Sequence, residues 1–559
     1  MTNKKLLCTG ATGTVITAIC CFTPVLAVLL GALGLSAWLG WIDYVLFPAL
    51  AAFLGITVYA AHHRQADVEG RRQGRGRVMS GAGNDRRSAS DNGNGETFDL
   101  AVIGAGSAGF SAAIHGAQLG ARVALIGHGT IGGTCVNTGC VPSKALIRAA
   151  EALHQGEAAS RFAGIRGGTS LADWGATVAQ KDALVSDMRQ SKYRDLLPAY
   201  NGIAYMEGPA QFADGGVTVN GALLRPKKIV LATGSSPAAP PIPGIEDVPY
   251  LTSTTAMALK RLPESLLVLG GGYIGCELAQ MFARAGVKVS ILCRSRLLPE
   301  AEPEIGAALT GYFGDEGISV LTGVTYEAVR GEGVGVTLSL SVDGVGREIE
   351  AEQMLIATGR RPNTDGLGLE QAGVELTPEG GVKVDDRMRT TKSGVYAAGD
   401  VTGRDMHVYM AAYGAKIAAE NALNGDGRRY DRAAMPAVVF TDPQGASVGL
   451  TEAKARAQGL DVRTTVLPLD QVPRALVARD TRGLIKLVAE RASGRLLGAH
   501  ILAPEGGECI QTAALAIKHG MTVRELAETI FPYLTTVEGL KLAALSFEQD
   551  VTKLSCCAG

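Results

Sequence analysis

Three cysteine pairs stand out in this 559-residue chain: Cys20-Cys21 inside an apolar segment, Cys135 and Cys140 in the run Gly-Gly-Thr-Cys-Val-Asn-Thr-Gly-Cys-Val-Pro-Ser-Lys, and Cys556-Cys557 close to the last residue. Thiolates prefer soft metal ions, and two that can meet also cycle between dithiol and disulfide. The Cys-x4-Cys spacing at a helix start puts the thiols of Cys135 and Cys140 about one turn apart, within reach of a disulfide. The helix N-terminus that follows, with Lys144 beside it, lowers thiolate pKa. Adjacent pairs such as Cys556-Cys557 suit chelation and ligand exchange of a thiophilic ion.

Redox thiols need an electron source, and two glycine turns supply the places for one. Gly104-Ala-Gly106-Ser-Ala-Gly109 follows the apolar strand Phe98–Ile103, and Gly270-Gly-Gly272-Tyr273-Ile-Gly275 follows the strand Leu266–Leu269. Each reads as a tight bend that aims helix N–H groups at a pyrophosphate, so two dinucleotides are expected, one of them a flavin. The strand Val287–Leu292 ends in Cys293-Arg294-Ser295-Arg296, without the carboxylate that favours NAD; Arg294 and Arg296 suit a 2′-phosphate. In the first fold, Leu125-Ile126-Gly127-His128 puts glycine where an acid for the ribose is expected, so that either flavin binding is weaker or His128 replaces one hydrogen bond.

The elements that carry these residues divide the chain. A net charge of −1 and 5% aromatics point away from nucleic acid as a partner. From Leu6 to Ala60 the only charged side chain is Asp43, enough for two membrane passes of about 20 residues each. Gly40-Trp41-Ile42-Asp43-Tyr44 marks a turn at a water boundary, so helices are expected at 11–37 and 42–61. A cleavable signal peptide is the competing reading, against which stand the length of the first segment and the second that comes at once after it. Lys4 and Lys5 before the hairpin and Arg64, Arg71, Arg72, Arg75 and Arg77 after it place both ends in the cytoplasm. Residues 62–97 have the composition of a flexible linker. Cys8, Cys276, Cys293 and Cys509 read as buried or incidental thiols.

From Thr97 onward the sequence resembles the flavin disulfide reductases. The glycine turns, the Cys-x4-Cys run, Ala232-Thr233-Gly234, Ala357-Thr358-Gly359 and Lys392-Ser393-Gly394-Val395-Tyr396-Ala397-Ala398-Gly399-Asp400 carry the likeness. It implies an α/β fold of two Rossmann-like dinucleotide-binding domains with an α+β C-terminal dimerisation domain, preceded by the transmembrane hairpin. It also implies FAD and NADPH as cofactors and a homodimer with a shared active site. Cys135 becomes the interchange thiol and Cys140 the one against the flavin; Glu277 pairs with Lys144, and Tyr273 covers the nicotinamide. The implied cofactor-binding set is Gly104, Gly106, Gly109, Gly133, Thr134, Lys144, Thr233, Gly234, Asp400, Gly270, Gly272, Gly275, Arg294, Arg296 and Gly359. Expected boundaries are 1–61 hairpin, 62–97 linker, 98–245 with 365–434 FAD-binding, 246–364 NADPH-binding, and 435–559 dimerisation with the cysteine tail.

Within that family, Phe531-Pro532-Tyr533 puts phenylalanine where reductases of disulfides carry a proton-shuttling histidine. With Val537-Glu-Gly-Leu-Lys-Leu-Ala-Ala544 and Leu554-Ser-Cys-Cys-Ala-Gly559, this stretch resembles the mercuric reductases. The resemblance implies that Hg²⁺ arrives on Cys556-Cys557 of the partner subunit, passes to Cys135 and Cys140 beside Tyr533, and leaves as Hg⁰. Cys-Cys-Phe-Thr-Pro-Val-Leu and Asp43-Tyr-Val-Leu-Phe-Pro-Ala-Leu50 resemble the small MerF-type mercuric ion transporters, which makes Cys20 and Cys21 metal ligands and the inner membrane the location, catalytic domains facing the cytoplasm. The second cysteine pair of that family is missing. The alternatives are a dihydrolipoamide or glutathione reductase, which lacks its histidine here, and a transporter whose flavin domain only reduces thiols.

Overall fold

A computed structural model describes residues 97–333 and 335–553. The hairpin, the linker and both flanking pairs, Cys20-Cys21 and Cys556-Cys557, lie outside the described residues, as does Cys8.

The first sheet starts with β1 (Leu100–Ile103), whose four residues are all buried. The chain then runs through α1 (Ser107–Gln118) to β2 (Val123–Gly127), and later adds β3 (Ile203–Glu207) and β4 (Lys228–Leu231). With the strand Val395–Ala397 these form a parallel sheet in the order Val395–Ala397, β4, β1, β2, β3. A strand covered on both faces by helices reads as a continuous apolar run, which is why Leu-Ala-Val-Ile and Val-Ala-Leu-Ile look alike. The second parallel sheet has β5 (Ser265–Leu269) and β6 (Lys288–Leu292) at its centre, flanked by β7 (Ser319–Leu321) and β8 (Gln353–Ile356) in the order β7, β6, β5, β8.

The last sheet is antiparallel: β9 (Pro436–Val439), β10 (Gln444–Gly449), β11 (Val462–Pro468), β12 (Leu484–Glu490) and β13 (Leu496–Ala503), ordered β9, β10, β13, β12, β11. Its inner face packs Leu467, Ile485, Leu487 and Ile501 against the helices Gly506–Lys518 and Glu538–Leu545. Phe531 lies against this core.

Buried ions join the second and third sheets. Arg284 reaches Glu316 at 2.6 Å and Asp442 at 3.0 Å, and Arg482 reaches Asp442 at 3.2 Å. Lys486 lies within 3.0 Å of Glu302 and 2.8 Å of Glu304. Such buried groups are tolerable because each charge is paired; removing one partner costs about 3–5 kcal/mol. Among the described residues no helix is long and apolar enough to cross a membrane.

Candidate active site

The site begins with the glycine turn between β1 and α1. Gly104 has φ +120°, and a Cβ there would fall 2.1 Å from the Ala232 carbonyl oxygen. The turn therefore lies flat on the end of β4, leaving the first N–H groups of α1 open to a phosphate. The second turn repeats the arrangement: a Cβ on Gly270, φ +113°, would fall 2.4 Å from the Ala357 oxygen. Both turns line one cavity of about 1210 Å³. Single small-molecule pockets usually measure about 300–1,000 Å³, so the space suits two cofactors meeting end to end.

Cys135 and Cys140 sit in this cavity with Lys144, Tyr273 and Glu277. The thiols are not on one helix start as the spacing suggests. Cys135 belongs to α2 (Gly133–Thr138) and Cys140 opens α3 (Cys140–Ala158), the two broken at Gly139. The break has a chemical cause, since Pro142 has no N–H to give to the carbonyl of Thr138. Its effect is to place Cys140 at a helix N-terminus. Both cysteines are free thiols and half-buried. The hydrogen bond from Cys135 lowers the Cys140 thiol to about 7, with the Lys144 charge acting in the same direction against burial. The same bond raises Cys135, which keeps its proton.

Lys144 Nζ donates to Glu277 Oε2 at 2.7 Å and lies 4.6 Å from the centre of the Phe440 ring. Glu277 is buried, because it lies on the inward face of α4 (Tyr273–Arg284), and its other oxygen accepts the Phe440 N–H at 2.9 Å. This ion pair thus joins the thiol helix, the second glycine turn and the third sheet. Tyr273 opens α4, and its ring centre is 5.9 Å from that of His407, which stacks on Tyr409 at 5.3 Å. Burial raises the Tyr273 phenol, so the ring is neutral.

The remaining expected positions divide between the cavity wall and the packing beneath the turns. Gly133, Thr134, Thr233, Gly234, Gly359 and Asp400 line the cavity together with Gly106 and Gly272. Asp400 accepts the Ser235 hydroxyl at 2.7 Å, and Arg360 donates to the same hydroxyl at 2.8 Å. Gly109 and Gly275 instead sit beneath their turns, where a Cβ would fall 1.7 Å and 2.0 Å from the oxygens of Gly104 and Gly270. Arg294 is exposed at the cavity and makes no hydrogen bond or ion pair with a described residue. Arg296 also lines the cavity, yet its guanidinium donates to the carbonyls of Leu298, Pro299 and Ala301 at 3.2, 2.9 and 2.7 Å. The sequence shows two equivalent arginines; the fold uses one of them largely to clasp its own loop. Tyr533 is half exposed in the third module and does not line the cavity of its own chain.

Sequence reasoning missed Phe440, His407 and Arg360, which reach the site from elements far along the chain. Cys276, Cys293 and Cys509 are buried, and burial raises each thiol. Among the described residues no cluster of three or more His, Cys, Asp or Glu is arranged to hold a metal.

Comparison with known proteins adds three family matches. The pyridine nucleotide-disulphide oxidoreductase family matches residues 98–415, its dimerisation domain matches 435–544, and the membrane transport protein MerF family matches 23–67, beginning just after Cys20-Cys21. The chain is 50% identical to a mercuric reductase of Streptomyces lividans, over 83% of this chain and 98% of the relative. It is 46% identical to one of Lysinibacillus sphaericus, over 83% and 85%. Among solved structures, the HOCl-induced flavoprotein disulfide reductase RclA of Escherichia coli in its Cu(II) complex superposes with TM-score 0.72 at 31% identity, covering 81% of this chain and all of that one. LpdA of Mycobacterium tuberculosis superposes with TM-score 0.72 at 27% identity, covering 80% and 100%.

Proposed function

Because this chain belongs to the pyridine nucleotide-disulphide oxidoreductases, and within them to the mercuric reductases, we propose that it reduces Hg²⁺ to Hg⁰ at Cys135 and Cys140 at the expense of NADPH. The observation that carries the reading is the position of this thiol pair, with one thiol at about 7, in a cavity lined by both nucleotide turns. The reaction balances as NADPH and Hg²⁺ giving NADP⁺, H⁺ and Hg⁰. FAD and NADPH fit the two cradles, and when bound they supply the two electrons.

The chain's own residues do the rest. Cys135, the interchange thiol, and Cys140, whose thiol ionises at about 7, take the ion as a two-coordinate dithiolate, and the Cys135 proton goes to the thiolate ligand that the ion sheds. Lys144 holds the thiolate by charge while Glu277 fixes Lys144, and Tyr273 covers the nicotinamide position. Gly104, Gly106 and Gly109 with Gly133, Thr134, Thr233, Gly234 and Asp400 hold the flavin nucleotide. Gly270, Gly272, Gly275, Gly359 and Arg294 hold the coenzyme, with Arg296 shaping the loop. Phe531 offers no acid–base group to a leaving thiol, which a metal ion does not require.

The protein is a homodimer through residues from about 435 onward. In the proposed cycle the partner subunit supplies the Cys556-Cys557 tail and Tyr533. The expected boundaries, 98–245 with 365–434, 246–364 and 435–559, are part of the same reading, and the three sheets support it. In this reading residues 1–61 are the membrane hairpin, which holds the chain in the inner membrane with its catalytic domains in the cytoplasm; the MerF match over residues 23–67 supports the membrane association. Cys20 and Cys21 pass the ion inward, and the linker of about 35 residues reaches roughly 30–35 Å, enough for capture at the membrane.

The test is NADPH oxidation by the detergent-solubilised full chain. Hg²⁺-dependent oxidation with release of volatile mercury is expected. Turnover with glutathione disulfide or dihydrolipoamide and none with Hg²⁺ would overturn the reading.

A further inference from the structure

An aromatic ring stands beside the second glycine turn that neither the glycines nor the arginines of that turn explain. Tyr326 lies near the start of the strand Val324–Glu332, in the three-stranded antiparallel sheet that follows β7. The strand carries a bulge there: Tyr326 pairs with Leu340 and Ala328 with Ser339, which leaves Glu327 as the extra residue. A bulge bends its strand and re-aims the side chains next to it. The Tyr326 hydroxyl donates to the Leu292 carbonyl at 2.7 Å, and the same carbonyl accepts the Gly270 N–H at 2.8 Å. The hydroxyl is therefore pinned where the end of β6 meets the first residue of the turn. The ring packs against the core of Leu267, Leu269 and Leu292, and it also lines the cavity, as Arg294 does. Burial raises the phenol, so the ring is neutral and its hydroxyl stays a donor.

In a dinucleotide fold the pyrophosphate sits on the glycine turn and the adenosine ribose at the end of the next strand, here β6. The adenine is joined to that ribose and must find its surface close to the same strand end. We infer that Tyr326 is the platform on which the adenine of the coenzyme stacks. Adenine and a phenol ring both present flat faces, and stacking between base and aromatic side chain is a substantial part of binding wherever it occurs. The bond to Leu292 holds the ring in place before the coenzyme arrives, so little side-chain freedom is lost on binding. Ring and cation then divide one adenosine between them: Tyr326 takes the base, and Arg294, two residues past β6, takes the 2′-phosphate. The ring is indifferent to that phosphate and supports NADPH and NADH alike. The competing role for Tyr326 is to fasten the end of β6 to the antiparallel sheet through its hydroxyl alone.

This inference rests on the NADPH reading and is tested with the two halves of the coenzyme. The detergent-solubilised full chain is titrated by calorimetry with adenosine 2′,5′-bisphosphate, which carries the base. Its flavin reduction is followed with reduced nicotinamide mononucleotide, which carries no adenine. Tyr326→Leu should weaken the bisphosphate by roughly 5-fold or more, the usual worth of one stacked base, and lower kcat/KM for NADPH and NADH by a common factor. The rate with the mononucleotide should stay within about 2-fold of the unmodified protein, because the nicotinamide half meets no change. Tyr326→Phe keeps the ring and loses the anchor, and should retain most of the affinity for the bisphosphate. If Tyr326→Leu does not fold, Tyr326→Met, of similar length and without a ring, carries the same expectation. Equal losses in the ringless variant and Tyr326→Phe would assign the residue to fastening the strand end. No loss, or an equal loss with the mononucleotide, would also overturn the platform while coenzyme binding itself stands. An unmodified chain that neither bound the bisphosphate nor had its flavin reduced by NADPH would overturn the NADPH reading and the assignment together.

Discussion

The two nucleotide turns are nearly superimposable in their constraints and opposite in the side chains one strand beyond them. Gly104 and Gly270 both take positive φ against a carbonyl of the neighbouring strand, and Gly109 and Gly275 both sit under their turns with no room for a methyl. At the end of the next strand the likeness stops. β2 ends in Gly127 under the Tyr205 ring, and β6 runs into Cys293 and the exposed Arg294. The turn is dictated by backbone packing and so says only that a pyrophosphate is bound. Which nucleotide it belongs to is written in the strand ends.

The largest effect separates the folds by content. The first carries the thiols, so Cys135→Ala or Cys140→Ala should lower mercury reduction by roughly 10³-fold or more, with FAD and NADPH still bound. Retained turnover in either variant would place the chemistry elsewhere. Next, Gly104→Ala and Gly270→Ala each force a methyl into a carbonyl at an unfavourable φ, a cost of about 2–5 kcal/mol. Gly104→Ala should be isolated poor in flavin; Gly270→Ala should keep its flavin and lose its rate of reduction by NADPH. Identical phenotypes would erase the distinction between the two cradles.

A smaller effect concerns the cationic strand end. Arg294→Ala should lose about 1.5–3 kcal/mol of the preference for NADPH over NADH, roughly 10- to 150-fold in the ratio of kcat/KM values. Arg296→Ala should weaken both coenzymes alike, because its guanidinium holds the loop at Leu298, Pro299 and Ala301. If Arg296 alone governed the preference, the division of labour read from its hydrogen bonds would be wrong.

The smallest effect is electrostatic. In the reduced enzyme the Cys140 thiol ionises at about 7, lowered by its hydrogen bond with Cys135 and by Lys144. The thiolate should therefore dominate above that pH and disappear below it. Lys144→Met should move this titration upward by about one unit or more, since a cation within a few ångströms favours the charged form. Thiolate absorbance against pH measures it, and an unchanged curve would assign the lowering to Cys135 and the helix terminus alone.

Local pattern made much of the molecule legible. The glycine turns, their strands and the Cys-x4-Cys run are short-range signals, and the Lys144–Glu277 pair is implied by the family resemblance. The features that spacing could not reveal depend on contacts between distant segments. Tyr205 over Gly127 comes from strand register, the Phe440 N–H on Glu277 from the packing of a separate module, and the occupation of Arg296 from the path of the loop after it. The break at Gly139 was visible in principle, since Pro142 cannot serve a continuous helix through both cysteines.

The reach of Glu277 to Phe440 also sets a timetable for biosynthesis. Cys140 leaves the ribosome first and Phe440 some 15–60 s later at the usual pace of about 5–20 residues per second. Glu277 is made partway through that interval and then waits a further 163 residues for its second partner, so the carboxylate that anchors Lys144 is not yet locked. The nascent thiols are therefore exposed to thiophilic ions before the site that discharges them is complete. In the proposed cycle the site is complete only once the C-terminal module has been made and has met its partner subunit.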